Sequence, residues 1–213
     1  MNVKFFEFNP FSENTYVVYD DTYEAAIIDP GCFEHEEYEE LVDFVKSKDL
    51  KIKYILNTHC HVDHVLGNFF CKKVWNVPLL IPLYEVENYK AVKIYAPNYG
   101  FFEYKEQEPD GFLKENQKIY IGNSIFDVIY VPGHSAGHVL FYEKDSKQAF
   151  VGDTIMRETI GRWDLPGGDQ KTLMQSLKKI ISTLPKETRL FPGHGPFTTL
   201  EYEQKYNPYL QNL

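Results

Sequence analysis

The chain has 213 residues, 43% of them hydrophobic, which is enough to bury a large core without disulfides or another covalent staple. Its formal net charge of -9 argues against nucleic acid as a partner, because binding to a phosphate backbone depends on a basic surface. The 3 cysteines are odd in number and lack paired spacing, which favours a reducing cytoplasm over a secreted disulfide framework.

Nothing in the sequence predicts a membrane segment. Charged residues and Pro10 interrupt the first 20 residues, so no signal peptide is predicted there. No later apolar run approaches the length of a membrane span. We therefore expect a cytoplasmic protein without a membrane partner, whose oligomeric state the sequence leaves open.

The first half of the chain is predicted to begin as a β-meander and to continue with alternating helices and strands. Its predicted elements are strands at 3–8, 15–19 and 25–28, a helix at 36–48, a strand at 52–56, a helix at 62–75 and a strand at 77–81. Asp63 stands where it could also cap the helix at 62–75.

An aromatic-rich insertion follows at residues 83–112, predicted as a helix and then a loop. Its tyrosines and phenylalanines lie among charged residues, so they could form one wall of a ligand pocket. They could equally pack a small satellite core. Both interpretations stay open at this point.

The second half repeats the order of strands followed by a helix. Its predicted elements are strands at 118–121, 125–131, 138–143 and 147–152, a helix at 170–183, a strand at 189–191 and a helical tail from 199. Two similar halves, about 1–115 and 116–213, favour two packed sheets with helices outside them. Without a linker between the halves, we expect a single α/β domain over 1–213.

The densest chemical motif is His59-Cys60-His61-Val62-Asp63-His64, which follows the predicted strand at 52–56. Buried imidazoles and carboxylates cost free energy unless a partner satisfies them, and so many in one loop leave few protein partners. Histidine nitrogen and carboxylate oxygen are typical ligands of zinc, iron and manganese. The motif therefore predicts four metal ligands, His59, His61, Asp63 and His64, with Cys60 as a structural thiol.

Three further ligand-type residues each follow a strand and a glycine, namely His134, Asp153 and His194. One catalytic zinc takes three protein ligands, so seven candidates predict two divalent ions. If Asp153 bridges, the others divide into one set of His59, His61 and His134 and a second set of Asp63, His64 and His194. His35 and His138 are interpreted as structural or surface residues.

The pattern His-x-His-x-Asp-His, followed by Gly-His, Gly-Asp and Gly-His, resembles the metallo-β-lactamase fold superfamily. The segments 9–16, 29–31, 161–169 and 193–196 are similar to its glyoxalase II branch, so the resemblance covers nearly the whole chain. It implies an αββα four-layer sandwich, a dinuclear metal site and hydrolysis of a thioester. It also implies that Asp29 supports a metal ligand without itself binding the ion.

Two features depart from the classical hydroxyacylglutathione hydrolases of that branch. Only 19 residues follow His194, so the chain resembles the short form, without the helical extension whose basic residues hold glutathione. Trp163 stands where the branch usually has a small residue. The acyl group, the thiol and the substrate-binding residues are therefore not predicted.

The leading functional hypothesis is a metal-dependent hydrolase of a small thioester. A metal-bound hydroxide would attack the carbonyl carbon, and Asp63 would orient that hydroxide as the catalytic side chain. A thiolate, whose conjugate thiol has a pKa of about 8.5, leaves without a general acid. Two zinc ions are expected, with iron or manganese as alternatives.

Two other functions stay open. Persulfide dioxygenases resemble this fold and bind one iron through two histidines and a carboxylate, which here would be His59, His134 and Asp153. The chain could also be a non-catalytic metal-binding relative. The segment 165–169 favours the glyoxalase-like branch, and a bridging Asp153 together with the loop at 161–169 disfavours a β-lactamase.

Overall fold

In the computed structural model, which describes residues 1–211 and 213, each half of the chain supplies one six-stranded sheet. The first sheet consists, in spatial order, of β1 (Asn2–Phe8), β2 (Glu13–Tyr19), β3 (Glu24–Ile28), β4 (Lys51–Leu56), β5 (Leu79–Pro82) and β6 (Gly111–Leu113). Strands β1 to β3 form the predicted antiparallel meander, whereas β3 to β6 run parallel.

The second half forms the other sheet and a short ribbon. Its strands are β7 (Lys118–Ile121), β8 (Ser124–Tyr130), β9 (Val139–Glu143), β10 (Gln148–Gly152), β11 (Ile155–Met156), β12 (Thr159–Ile160), β13 (Arg189–Pro192) and β14 (Thr198–Thr199). The order in the sheet is β14-β13-β10-β9-β8-β7, and β11 pairs with β12 alone. Strand β10 is parallel to β13 and antiparallel to β9.

Six α-helices and two 3₁₀ turns complete the chain that the structure describes. The helices are α1 (His35–Ser47), α2 (Val62–Val65), α3 (Asn68–Trp75), α4 (Val86–Tyr95), α5 (Gln170–Thr183) and α6 (Leu200–Tyr206), and the 3₁₀ turns are Leu83–Glu85 and Ala96–Tyr99. Within residues 1–211 and 213, none of the helices has the length and apolar character needed to cross a membrane.

Three hydrophobic cores separate four layers, which confirms the predicted αββα sandwich. Alternation along the strands assigns neighbouring residues to different cores: Val18 and Ile28 face the space between the sheets, while Val17 and Ile27 face the helices of the first half. Leu177 of α5 lies in the third core, between the second sheet and its helices. That the two halves form a single domain stays a prediction.

The predicted helix at 62–75 is wrong as a single element, because the chain breaks between α2 and α3. The backbone N–H of Gly67 donates to Pro30 O at 2.8 Å rather than within a continuous helix. A Cβ at this position would lie 2.5 Å from Cys32 Sγ, so only glycine lets the two segments approach so closely. Strands β6, β11, β12 and β14 were not predicted, since each has only two or three residues.

Topology brings the ends of four strands to one edge of the sandwich. Strand β8 is antiparallel to β9, and β9 is antiparallel to β10, so β8 and β10 run in the same direction as β13. Their carboxyl ends lead into His134, Asp153 and His194, and β4 leads into His59. This edge is where open α/β sheets usually bind ligands.

Gly133 fixes the approach of this edge to α5. Its φ is +126°, and a Cβ there would lie 2.2 Å from the backbone N of Leu173. The position thus combines a backbone conformation that disfavours L side chains with a contact that leaves no room for one. Because Gly133 directly precedes His134, the same contact with Leu173 fixes the backbone that carries this candidate ligand.

We predict that Gly133→Ala lowers the free energy of unfolding by about 2–4 kcal/mol, because it adds steric overlap to backbone strain. The matched control is Gly100→Ala, at φ +90° with open space around its Cβ, which should cost about 1 kcal/mol. Urea denaturation measures both values. Equal losses would contradict the role assigned to the Leu173 contact.

Candidate metal centre

The structure brings all seven ligand-type residues to the same edge of the sandwich. The ligand atoms of His59, His61 and His134 lie within 4.8 Å of one another, and those of Asp63, His64 and His194 form a second such group. We call these groups the first and the second triad. They are the two sets into which the sequence divided the candidates.

Asp153 lies between the triads and contacts histidines of both. Its Oδ2 lies 3.4 Å from Nε2 of His134 in the first triad and 3.5 Å from Nε2 of His194 in the second. Its Oδ1 lies 3.6 Å from Nε2 of His64. A single carboxylate within reach of both triads has the position that a bridging ligand requires.

Backbone carbonyls fix the tautomers of two histidines. Nδ1 of His134 lies 2.7 Å from the carbonyl oxygen of Arg162, and Nδ1 of His194 lies 3.1 Å from that of Phe11. Because a carbonyl oxygen can only accept, Nδ1 carries the proton in both rings. In the neutral form of each ring the lone pair is then on Nε2, the atom that lies nearest Asp153.

A hydrogen-bond chain from Asp29 orients two more rings. The Thr58 hydroxyl donates to Asp29 Oδ2 at 2.6 Å, so it accepts from Nδ1 of His59 at 3.1 Å. Nδ1 of His64 lies 3.2 Å from the same Asp29 oxygen. Asp29 therefore supports His59 and His64 from behind, in the place where the resemblance puts a supporting carboxylate.

The Nε2 atoms of His59, His64 and His134, and Oδ1 of Asp153, are buried without a hydrogen-bond partner among the described residues. Four unsatisfied polar atoms in one small volume would cost several kcal/mol in a dry core. A divalent cation between them would satisfy all four. The residues present therefore fit metal ions in both their chemistry and their orientation.

Burial sets the protonation of the first triad. It lowers the pKa of His59 well below its usual value and, with the charge of His134, lowers the pKa of His61 to about 3. Both rings are therefore neutral at physiological pH, which is the form that binds a metal.

The second triad has the opposite balance. Burial opposes a charge on His64, but the carboxylates of Asp63 and Asp153 outweigh it and raise the pKa of His64 well above its usual value. Burial likewise opposes ionisation of Asp153, yet His64 and His194 hold the Asp153 pKa well below its usual value. The carboxylates thus stay ionised and need a positive partner, which a proton on His64 or a metal ion can provide.

Asp63 lines the pocket described below and lies 3.2 Å from Nε2 of His194 through its Oδ2. The predicted capping role is wrong. Asp63 is the second residue of α2, whose N-cap is His61, and no side chain caps this helix. The carboxylate instead faces the other two members of the second triad, with Oδ2 3.2 Å from Nε2 of His194 and 3.7 Å from Nε2 of His64.

His138 was interpreted from sequence as structural or surface, and it is fully buried. Its ring stacks on His59, with centroids 4.7 Å apart, and its Nε2 accepts the backbone N–H of Asp153 at 3.0 Å. His138 therefore positions two candidate ligands. His35, by contrast, is exposed and pairs with Glu39 on α1.

Glu85 is a positioning residue that sequence reasoning missed. Its buried carboxylate accepts the backbone N–H of Cys60 at 3.0 Å and that of Gly137 at 2.5 Å, and also the Asn88 amide at 3.2 Å. It thus ties the loop of the histidine motif and the loop after His134 to the insertion. No local spacing marks such a residue, because its partners are distant in sequence.

A pocket of about 780 Å³ opens onto both triads. Its walls come from the insertion, from the turn after β1 and from residues 156–166. Tyr95 and Tyr99 of the insertion line the pocket, whereas Tyr89 and Phe101 of the same segment pack into the first-half core. The insertion therefore forms one wall of the pocket and also packs into the main core of the first half, not into a separate satellite core, and Tyr95 takes part in both.

Trp163 packs outside the pocket, against the core between the second sheet and its helices. Its ring makes an edge contact with Tyr209, with centroids 6.3 Å apart. All 3 cysteines are buried and free, which agrees with a structural role for Cys60.

Comparison with known proteins identifies relatives over the full length of the chain. The profile of the Metallo-beta-lactamase superfamily matches residues 8–194. Hydroxyacylglutathione hydrolase GloC of Haemophilus influenzae is 33% identical over 100% of this chain and 99% of its own.

Two solved structures agree with this result. TTHA1623 in a di-iron-bound form is 34% identical, with a TM-score of 0.86 over 99% of this chain and 100% of that chain. The BLEG-1 B3 metallo-beta-lactamase is 31% identical, with a TM-score of 0.86 over 98% of this chain and 99% of that chain. The relatives share one fold but differ in the activity that their names state.

We predict that Glu85→Ala lowers the free energy of unfolding by about 2–5 kcal/mol, because two buried N–H groups lose their acceptor at about 1–3 kcal/mol each. The control is Glu103→Ala, an exposed glutamate of the same insertion, which should change stability by less than about 0.5 kcal/mol. Urea denaturation of both variants checks this. Similar stabilities would show that the Glu85 hydrogen bonds are dispensable.

Proposed function

We propose that this chain, which belongs to the metallo-beta-lactamase superfamily, is a metal-dependent hydrolase that cleaves small thioesters at a site holding two divalent ions. The observation that carries the proposal is the position of Asp153 between two triads, together with the buried Nε2 atoms of His59, His64 and His134, which have no hydrogen-bond partner among the described residues. Similarity to a hydroxyacylglutathione hydrolase over the full chain supports thioester cleavage.

In this proposal His59, His61 and His134 hold one ion, and Asp63, His64 and His194 hold the other, with Asp153 shared. Zinc suits these nitrogen and carboxylate ligands, and so do iron and manganese. Bound ions supply a water nucleophile at neutral pH and polarise the carbonyl group of the substrate.

The side chains of the chain do the remaining work. Asp63 faces the pocket and can accept a hydrogen bond from the attacking water, which aligns its oxygen with the carbonyl carbon. The water oxygen forms a bond to that carbon, the C–S bond breaks, and a carboxylic acid and a thiol leave. Because a thiolate is a good leaving group, no general acid is required.

The first test is a substrate panel on one purified sample of known metal content. Release of free thiol from small thioesters supports the proposal. Oxygen uptake on a persulfide, with one iron per chain and no thioester cleavage, would replace it with the dioxygenase activity considered from the sequence. Turnover of neither class in the fully metallated protein would indicate a non-catalytic metal-binding relative.

We predict that Asp153→Ala removes both ions together and reduces thioester hydrolysis by at least about a thousandfold, because each triad loses the same ligand. Metal content by plasma emission and thiol release, measured on the same sample, check this result.

The matched control is Asp145→Ala, an exposed aspartate in the turn after β9, which should keep the metal content and the activity of the parent protein. Full retention of both ions by Asp153→Ala would overturn the bridging assignment.

A further inference from the structure

Resting on the thioester hydrolase proposed above, we infer that the pocket is built for thioesters that carry an aromatic group and an uncharged thiol, and not for thioesters of anionic thiols such as glutathione. Two independent features carry this inference. One is a wall of aromatic side chains whose apolar surface is exposed in the pocket. The other is the ion pair between Asp164 and Arg162, the one cationic lysine or arginine side chain among the described lining residues.

The aromatic wall consists of Phe11, Tyr95 and Tyr99, which all line the pocket. Phe11 and Tyr99 meet edge to face, with ring centroids 5.7 Å apart, and Tyr95 and Tyr99 do the same at 6.1 Å. Phe11 is nevertheless 41% exposed and Tyr99 is 53% exposed. Large apolar surfaces left open toward a concave site are typical of ligand contacts.

The wall stands directly beside the metal centre. The carbonyl oxygen of Phe11 accepts Nδ1–H of His194, so the backbone that carries this ring also orients a candidate ligand. The pocket is also lined by the apolar residues Ile160, Leu165 and Pro166. A thioester held at the triads would therefore place its substituent in a pocket lined mainly by aromatic and apolar side chains.

Charge in the pocket points in the same direction. Among its described lining residues, Arg162 is the one lysine or arginine. Its Nε and Nη2 donate to both carboxylate oxygens of Asp164, at 2.7 and 2.9 Å, in a bidentate pair. The remaining polar lining outside the triads includes the neutral amides of Asn88 and Asn98.

This arrangement disfavours an anionic carrier. The carboxylates of glutathione need cationic partners, and Asp164 already occupies the guanidinium group that could supply one. The Arg162–Asp164 pair is exposed to solvent and contributes little to stability, so Asp164 can be substituted without unfolding the chain. Asp164 is therefore a residue that determines specificity, and its removal should change the preference of the enzyme for carrier charge.

The test uses four thioesters that combine an acetyl or a phenylacetyl group with N-acetylcysteamine or glutathione. For the zinc-loaded protein, kcat/KM for the phenylacetyl compound of N-acetylcysteamine should exceed that of its acetyl partner by about tenfold. It should exceed that of phenylacetylglutathione by about fivefold.

Substitutions at Tyr99 and Asp164 assign these preferences to residues. Tyr99→Ala should abolish the preference for an aromatic group and Tyr99→Phe should keep it, while Tyr120→Ala, an exposed tyrosine of β7, is the control. Asp164→Asn frees Arg162, so it should raise kcat/KM for glutathione thioesters relative to neutral ones by about fivefold.

Three results would overturn the inference, each in a different way. If glutathione thioesters are cleaved best and Asp164→Asn leaves the ratio unchanged, the specificity inference is wrong and the hydrolase proposal stands. If aromatic and small acyl groups are cleaved equally and Tyr99→Ala changes nothing, the aromatic wall has no role in recognition. If no thioester of either class is cleaved, the hydrolase proposal fails and the inference falls with it.

Discussion

Buried imidazole nitrogens that find no partner in the protein are the constraint on which this structure depends. Nε2 of His64 and of His134 lies near Asp153, and these two atoms and Nε2 of His59 are buried without a hydrogen-bond partner among the described residues. Such an arrangement is unfavourable unless a cation completes it, since an unsatisfied buried polar atom costs about 1–3 kcal/mol. The fold maintains this arrangement because each Nδ1 atom has its own partner in the protein: the Thr58 hydroxyl for His59, Asp29 for His64 and the Arg162 carbonyl oxygen for His134.

The rest of the fold acts as a frame for that arrangement. Parallel strand directions bring the ligand-bearing loops to one edge, and buried groups then fix those loops relative to one another. Asp29 joins β3 to the histidine motif, His138 joins β9 to Asp153, and Glu85 joins the insertion to two loops at once. A site assembled from separate segments needs such cross-links, because a shift of about 1 Å at one ligand loses the geometry.

The sequence was sufficient to predict the four layers and the residues that now lie at the centre, because both depend on local patterns. Alternating apolar residues mark the strands, and the spacing of His59, His61, Asp63 and His64 marks the site. Contacts between distant segments were not predictable. Gly67 breaks the helix through its approach to Cys32, and Glu85 resembles any acid at the start of a helix. His138 lies four residues beyond His134, and only the fold places it against His59 and Asp153.

We propose that the two triads and Asp153 form one site for two ions. The most direct measurement is a titration of metal-free protein with zinc, followed by plasma emission analysis of the ions retained per chain after desalting. If the site holds two ions, binding should saturate at two ions per chain. Saturation at one ion per chain, with only weak binding of a second ion such as cobalt at the second triad, would contradict the assignment of two ions.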